Sequence, residues 1–147
     1  MEYGRTQDQR TNKNLTALLD KHFNLLQISD TYGTNLFPYI KAVTKDAKIP
    51  QKDLVLAAKK FALPQREIVK PKLVICFGKD TFNAIRKALK MMKVDTVEKG
   101  INSPFFFNAS KVYLQSHPCG RDWPRRGGIN QIHADWAKMA EYMYAQP

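Results

Sequence analysis

Cysteine is scarce: Cys76 and Cys119 are the only two in 147 residues, and they are far apart. That excludes a disulfide scaffold and any cysteine-built metal site, so reduced thiols and no cofactor are expected. Long apolar runs are absent. None approaches the roughly 20 residues that span a bilayer, and the first residues, "MEYGRTQDQRTNKN", contain no apolar leader core. The expectation is an intracellular, cytoplasmic chain with no membrane partner. Acid is also short. Thirteen Asp and Glu face 24 Lys and Arg, for a net charge of +11. Residues 38–100 alone hold 15 Lys and Arg against 6 Asp and Glu. Such an excess speaks about partners rather than fold. It reads either as a solvated lysine surface or as attraction to a polyanion, most simply nucleic acid.

The sequence also lacks the short motifs of several enzyme classes. There is no P-loop, dinucleotide fingerprint, nucleophile elbow, zinc pattern or close pair of carboxylates. What it does have is a sequence of alternating elements. "NLTALLDKHFNLL" places Leu15, Leu18, Leu19 and Phe23 on one helical face, with Thr11 or Asn12 as its cap. "DTYGTNLFPYI" leans towards a strand. "QKDLVLAAKKFA" reads as a helix, with Leu54, Ala57, Ala58 and Phe61 inward, that stops before Pro64. "PQREIVKPK" adds a short helical turn. "KLVICFG" is an unbroken apolar run, as expected of a strand covered on both faces. "KDTFNAIRKALKMM" follows as a helix with Phe82, Ile85, Ala88 and Leu89 on one side and Asp80 as cap. "SPFFFNASKVYLQSHP" gives two strands joined at Asn108-Ala109, and a last helix over about 129–145 turns Ile132, Trp136, Met139, Ala140 and Met143 inward. The pattern implies one α/β domain over residues 1–147, with 1–12 flexible and three αβα layers on a mainly parallel sheet.

In open α/β sheets the ligand sits beyond the carboxyl ends of the strands. Thr34-Asn35, Gly78-Lys79-Asp80 and Ser116-His117-Pro118 fall there. Asn35 carries a donor and an acceptor on one planar group, suited to reading the edge of a base. It equally suits a turn that bonds its own backbone. His117 can donate to a developing anion or act as acid or base. It can equally be a strand-end histidine satisfied by a carbonyl. The loop "CGRDWPRRGG" is the most specific feature. Arg121, Arg125 and Arg126 can meet phosphates, Trp123 can stack on a base, and the glycines permit close approach. Its plainer reading is a surface loop with Trp123 folded back. "FGKDTFNAI" reads as structural, and His22 and His133 lie within helices without a ligand partner in sight.

Three segments, in order over roughly residues 13–145, resemble the uracil-DNA glycosylase superfamily. They are "YGTNLFPYI", "REIVKPKLVICFGKDTFNAI" and "VYLQSHPCGRDWPRRGGINQIHADW". The resemblance implies a uracil-DNA glycosylase-like fold that holds a base flipped out of DNA. Asn35 would bond the uracil edge, and His117 would donate to the uracil carbonyl as charge builds on the leaving base. Arg121, Trp123, Arg125 and Arg126 would press on the DNA. The implied partner is single-stranded or uracil-containing DNA, with a homodimer as a candidate assembly. Cys119 and Gly120 replace the family's usual Ser and Pro. The family's first motif, a Gly-rich segment that positions water, has no counterpart, and the first strand is expected to be missing. Some branches carry an iron–sulfur cluster on four cysteines, which two cysteines cannot build. The expectation is a chain that is catalytically incomplete or truncated as it stands. If active, it would be a uracil-DNA N-glycosylase. The alternative is a non-enzymatic nucleic-acid-binding or assembly module on the same fold.

Overall fold

The structure, a computed structural model, describes residues 9–23, 31–38 and 47–145. Helix α1 (Arg10–His22) buries Leu18 and Leu19, as the apolar spacing predicts, and Phe23 just beyond it is buried too. It begins earlier than expected. Gln9 occupies the cap position, so Thr11 and Asn12 lie inside the helix. Arg10, Thr11 and Asn12 are therefore helical.

The next helical stretch runs through the proline expected to end it. Helix α2 (Gln51–Ala57) passes into a π-helical turn (Ala58–Ala62) and then into α3 (Leu63–Val69), with Pro64 near the α3 start. A proline in a continuing helix lacks one N–H and crowds the carbonyl four residues back. The widened π turn relieves that crowding one step earlier, and Leu63 N–H donates to Ala58 O, five residues back. Lys70 closes α3 in the left-handed conformation, before Pro71.

Strand β1 (Leu73–Phe77) follows, and α4 (Lys79–Ala88) starts directly after it. Gly78 caps α4 at φ 93°, a conformation open to glycine. Asp80, the expected cap, sits instead in the first turn, where a carboxylate favours the helix dipole. A short helix that the apolar pattern did not announce, α5 (Val97–Ile101), is capped by Thr96, whose Oγ1 accepts from Lys99 N–H at 3.1 Å. Asn83 ties α4 to this region. Its amide donates to Val94 O at 2.9 Å and accepts from Val94 N–H at 2.8 Å.

Strands β2 (Phe105–Phe107) and β3 (Ser110–Gln115) form the predicted hairpin, with Phe107 opposite Ser110 and Asn108 in the left-handed region. Among the described residues the sheet has three strands in the order β1-β3-β2 and is mixed: β3 is antiparallel to β2 and parallel to β1. The "mainly parallel" expectation is thus corrected to one parallel and one antiparallel pair, because the tight Asn108-Ala109 turn forces β2 to run back along β3. The strand expected within 31–40 is not formed over its described part. Residues 31–38 carry no strand, and the flexible Gly33 and donorless Pro38 both work against a ladder. Tyr39 and Ile40 lie outside the described residues. β1 is less covered than its unbroken apolar run suggests. It lies at one edge of the described sheet, and only Cys76 within it is fully buried.

The chain divides into two compact units, residues 33–114 and the two chain ends, 1–32 with 115–147. In the first, Ala58, Phe82 and Ile85 pack with Phe105, Val112 and Leu114. The hairpin tip is fastened to α3. Arg66 Nε donates to Ser110 Oγ at 2.9 Å, its guanidinium lies 5.0 Å from the Phe107 ring centre, and Asn108 donates to Glu67 at 2.9 Å. The second unit holds α1, a short helix α6 (Trp123–Arg126) and α7 (Ile129–Tyr144). α7 buries Ile132, Trp136, Met139 and Ala140 as predicted; Met143 is half-buried.

Candidate functional site

The residues after β3 alternate between anchored and presented. Ser116 and Pro118 are buried, whereas His117 between them is exposed. Asn14 on α1 holds the turn by donating to Pro118 O at 2.7 Å. Gly120 is buried at φ 77°, and a Cβ there would come 3.2 Å from Arg10 Nη2 and 3.3 Å from Asn14 Nδ2. The need for glycine at 120 is therefore met within the protein, by the approach of α1.

His117 is the hub of this turn. Its carbonyl accepts from Gly120 N–H at 3.2 Å and from the Trp123 indole N–H at 3.0 Å. Its Nδ1 accepts from Cys119 N–H at 3.1 Å. An imidazole that accepts at Nδ1 carries its proton on Nε2 when neutral. Nε2 is then a hydrogen-bond donor, of the type that suits a carbonyl or phosphate oxygen.

The loop beyond is built rather than slack. The Trp123 N–H contact is the folded-back arrangement that the plainer reading anticipates, and the ring is half-buried. Gly127 (φ 112°) ends α6 and Gly128 (φ 85°) precedes α7, both in conformations that side-chain-bearing residues avoid. The three arginines separate by role. Arg126 reaches back to Asp135 with two parallel bonds, Nε to Oδ2 and Nη2 to Oδ1, each 2.8 Å, and Gln131 adds a third donor to Oδ1 at 3.0 Å. Both partners are largely covered, with side-chain exposures of 15% and 5%. This is a bidentate internal pair that fixes the loop to α7. Arg125 and Arg121 are exposed; Arg125 lies 3.6 Å from the exposed Asp122. The expected four-residue DNA-facing set thus becomes two presented arginines, a half-covered tryptophan and one arginine engaged inside.

Asn35 belongs to the other compact unit. It is exposed on the 31–38 segment, and Thr34 Oγ1 donates to its carbonyl at 3.5 Å.

Several residues acquire partners or surroundings that the sequence did not reveal. His22 and His133, 111 positions apart, meet with Nε2 and Nδ1 2.9 Å apart. Asn14 and Gln131 gave no signal, because their partners are remote or are backbone. Asp135 did give one: an acid beside Trp136 on the apolar face of α7 must find a partner. Gln115 is buried and donates to Asp135 O at 3.2 Å. Cys76 is a buried thiol, pushed up to about 12 by desolvation, whereas Cys119 is half-buried. Among the described residues no group of three or more His, Cys, Asp or Glu could hold a metal ion. Nor is any helix among them long and apolar enough to cross a membrane. No known protein family matches the sequence, and no curated protein matches it.

Proposed function

We propose that this chain is a uracil-DNA glycosylase-like protein that binds DNA and accommodates a flipped base, with catalysis incomplete as the chain stands. One observation carries the reading: the 116–128 segment sets an exposed histidine, protonated at Nε2 when neutral, at a strand end beside exposed arginines and a tryptophan on a pinned loop. In this reading His117 Nε2–H meets the carbonyl oxygen of the base; a base-reading role for Asn35 rests on the family resemblance alone. Arg121 and Arg125 neutralise phosphates while Trp123 lies against the strand. Arg126 acts through Asp135, by holding the loop in place. The three-layer sheet of the resembled family is part of the same proposal.

The second reading is a nucleic-acid-binding or assembly module without chemistry. It is favoured by the bond from the Trp123 indole to the His117 carbonyl, which already occupies the ring's polar edge.

Release of free uracil from a uracil-containing single strand, measured together with binding to that strand, separates these readings. Release that falls by about 100–1000-fold in His117→Ala, the usual cost of losing one such donor, supports an active glycosylase. No release, with preferential binding of uracil-bearing over normal strands lost in Asn35→Ala and His117→Ala, supports the base-accommodating binder. Equal binding to every strand in all three proteins, steeply dependent on salt, leaves only the electrostatic module.

A further inference from the structure

The His22–His133 contact joins α1 to α7, the two long helices of the unit formed by the chain ends. The ring centroids are 5.2 Å apart and the facing nitrogens 2.9 Å, so the centroid separation is nearly the N···N distance plus the two ring radii. The nitrogens therefore point head-on, and one of them must carry a proton while the other accepts. A neutral pair satisfies this. A singly charged pair satisfies it as well, since the outer nitrogen takes the first proton and the shared bond becomes charge-assisted. A doubly charged pair cannot, because both facing nitrogens would then carry N–H. The titration belongs to the pair, in two steps, and only the second breaks the bond.

The surroundings oppose that second proton. Burial, then the charge of His133, then that of Lys21 disfavour the charged form of His22, and burial followed by Lys21 disfavours that of His133. The nearest acid on α7, Asp135, is taken by Arg126 and Gln131. Asp20 on α1 and Lys138 and Glu141 on α7 are exposed, where water screens them. The Trp136 ring, 6.3 Å from His22, supplies an apolar wall. α1 also carries the residues that hold the turn after β3: Asn14 bonds Pro118 O, and Arg10 packs at Gly120.

We infer that the His22–His133 pair is a proton-operated latch: uptake of the second proton frees α1 from α7 and, through Asn14 and Arg10, loosens the turn that carries His117. The element with two arrangements is α1, docked or released, and acid favours release. The latch stands independently of the nucleic-acid reading; only its consequence for binding rests on that reading.

The test is an NMR titration of the isotopically labelled full chain from pH 8 to 5, with no nucleic acid present. The His22 and His133 ring signals, the Asn14 side-chain amide and the Gly120 amide are followed together. The expected result is two proton steps for the pair, with the Asn14 and Gly120 signals moving with the second. In His133→Gln, checked for folding at pH 8 by circular dichroism, the second step is lost and both reporters stay fixed. His22→Gln gives the same reading if the first variant does not fold. Rings that titrate independently near 6.5, or reporters that stay still in the unmodified chain while both rings charge, overturn the latch. So do reporters that move in either folded variant as they do in the unmodified chain. Failure of uracil-strand binding leaves all these outcomes unchanged.

Discussion

At the scale of single residues, Arg126 and Asp135 show how little a residue's chemical type says about its use. Three arginines stand within six positions, yet one is consumed inside the protein. Removing one member of a buried, doubly bonded ion pair leaves the other charged, desolvated and alone. That costs about 3–5 kcal/mol, more than the pair itself contributes. Asp135→Ala should therefore lower unfolding stability by about that amount in urea titrations, while Arg125→Ala changes it by about 0–1 kcal/mol because its partner is exposed. Equal effects of the two substitutions would mean that Arg126 is not held as the geometry indicates. Cys76 and Cys119 divide in the same manner. Desolvation keeps the first thiol protonated and inert, and nothing in its sequence neighbourhood distinguishes it beyond the apolar run around it.

At the scale of elements, the strongest patterns survived and the weakest did not. α1, α4 and α7 were legible because apolar residues recur at helical spacing and each helix has a wall to face. The β2–β3 hairpin was legible because Asn108 tolerates the left-handed turn. The 31–38 segment was not a strand: β-leaning residues need a partner ladder, and Gly33 and Pro38 weaken the case for one. The helix through Pro64 was missed because a π turn is a tertiary accommodation, with no letter of its own. α5 was missed because five residues carry too little periodicity, although Thr96 was there to read as a cap. The 119–128 loop is the element on which the proposed DNA binding turns. If Trp123 stacks on a base, Trp123→Ala should weaken single-strand affinity by about 1–3 kcal/mol in fluorescence titrations. An unchanged affinity would assign the ring to its bond with His117 alone.

At the scale of the whole molecule, the charge of +11 and the half-buried histidine pair set the response to solution conditions. Both histidines have folded-state pKa values depressed below 6.5, by burial first. The unfolded chain therefore binds more protons than the folded one once the pH falls below that value. The pair's stabilisation is fully present above about 6.5 and is lost progressively as pH drops towards the depressed values. Urea midpoints should fall between pH 7.5 and 5.5, and the fall should shrink in a chain carrying both His22→Gln and His133→Gln. A midpoint that rises on acidification would reverse the assigned direction of the shifts.

The sequence by itself determined the α/β character, the strand–glycine–helix step at 73–88, the hairpin and the apolar face of the last helix. It also marked His117 and its basic loop as a place where chemistry-bearing residues gather. These features are local: propensity, periodicity and turn chemistry act over a few residues. Tertiary structure alone decided which arginines of that loop are presented, what Asn14 and Gly120 are for, how the three strands are ordered, and that His22 meets His133. Those depend on partners from nine positions away, as for Arg126 and Asp135, to 111 positions away, as for His22 and His133, and on burial, which sets whether a charge is solvated or must be paired.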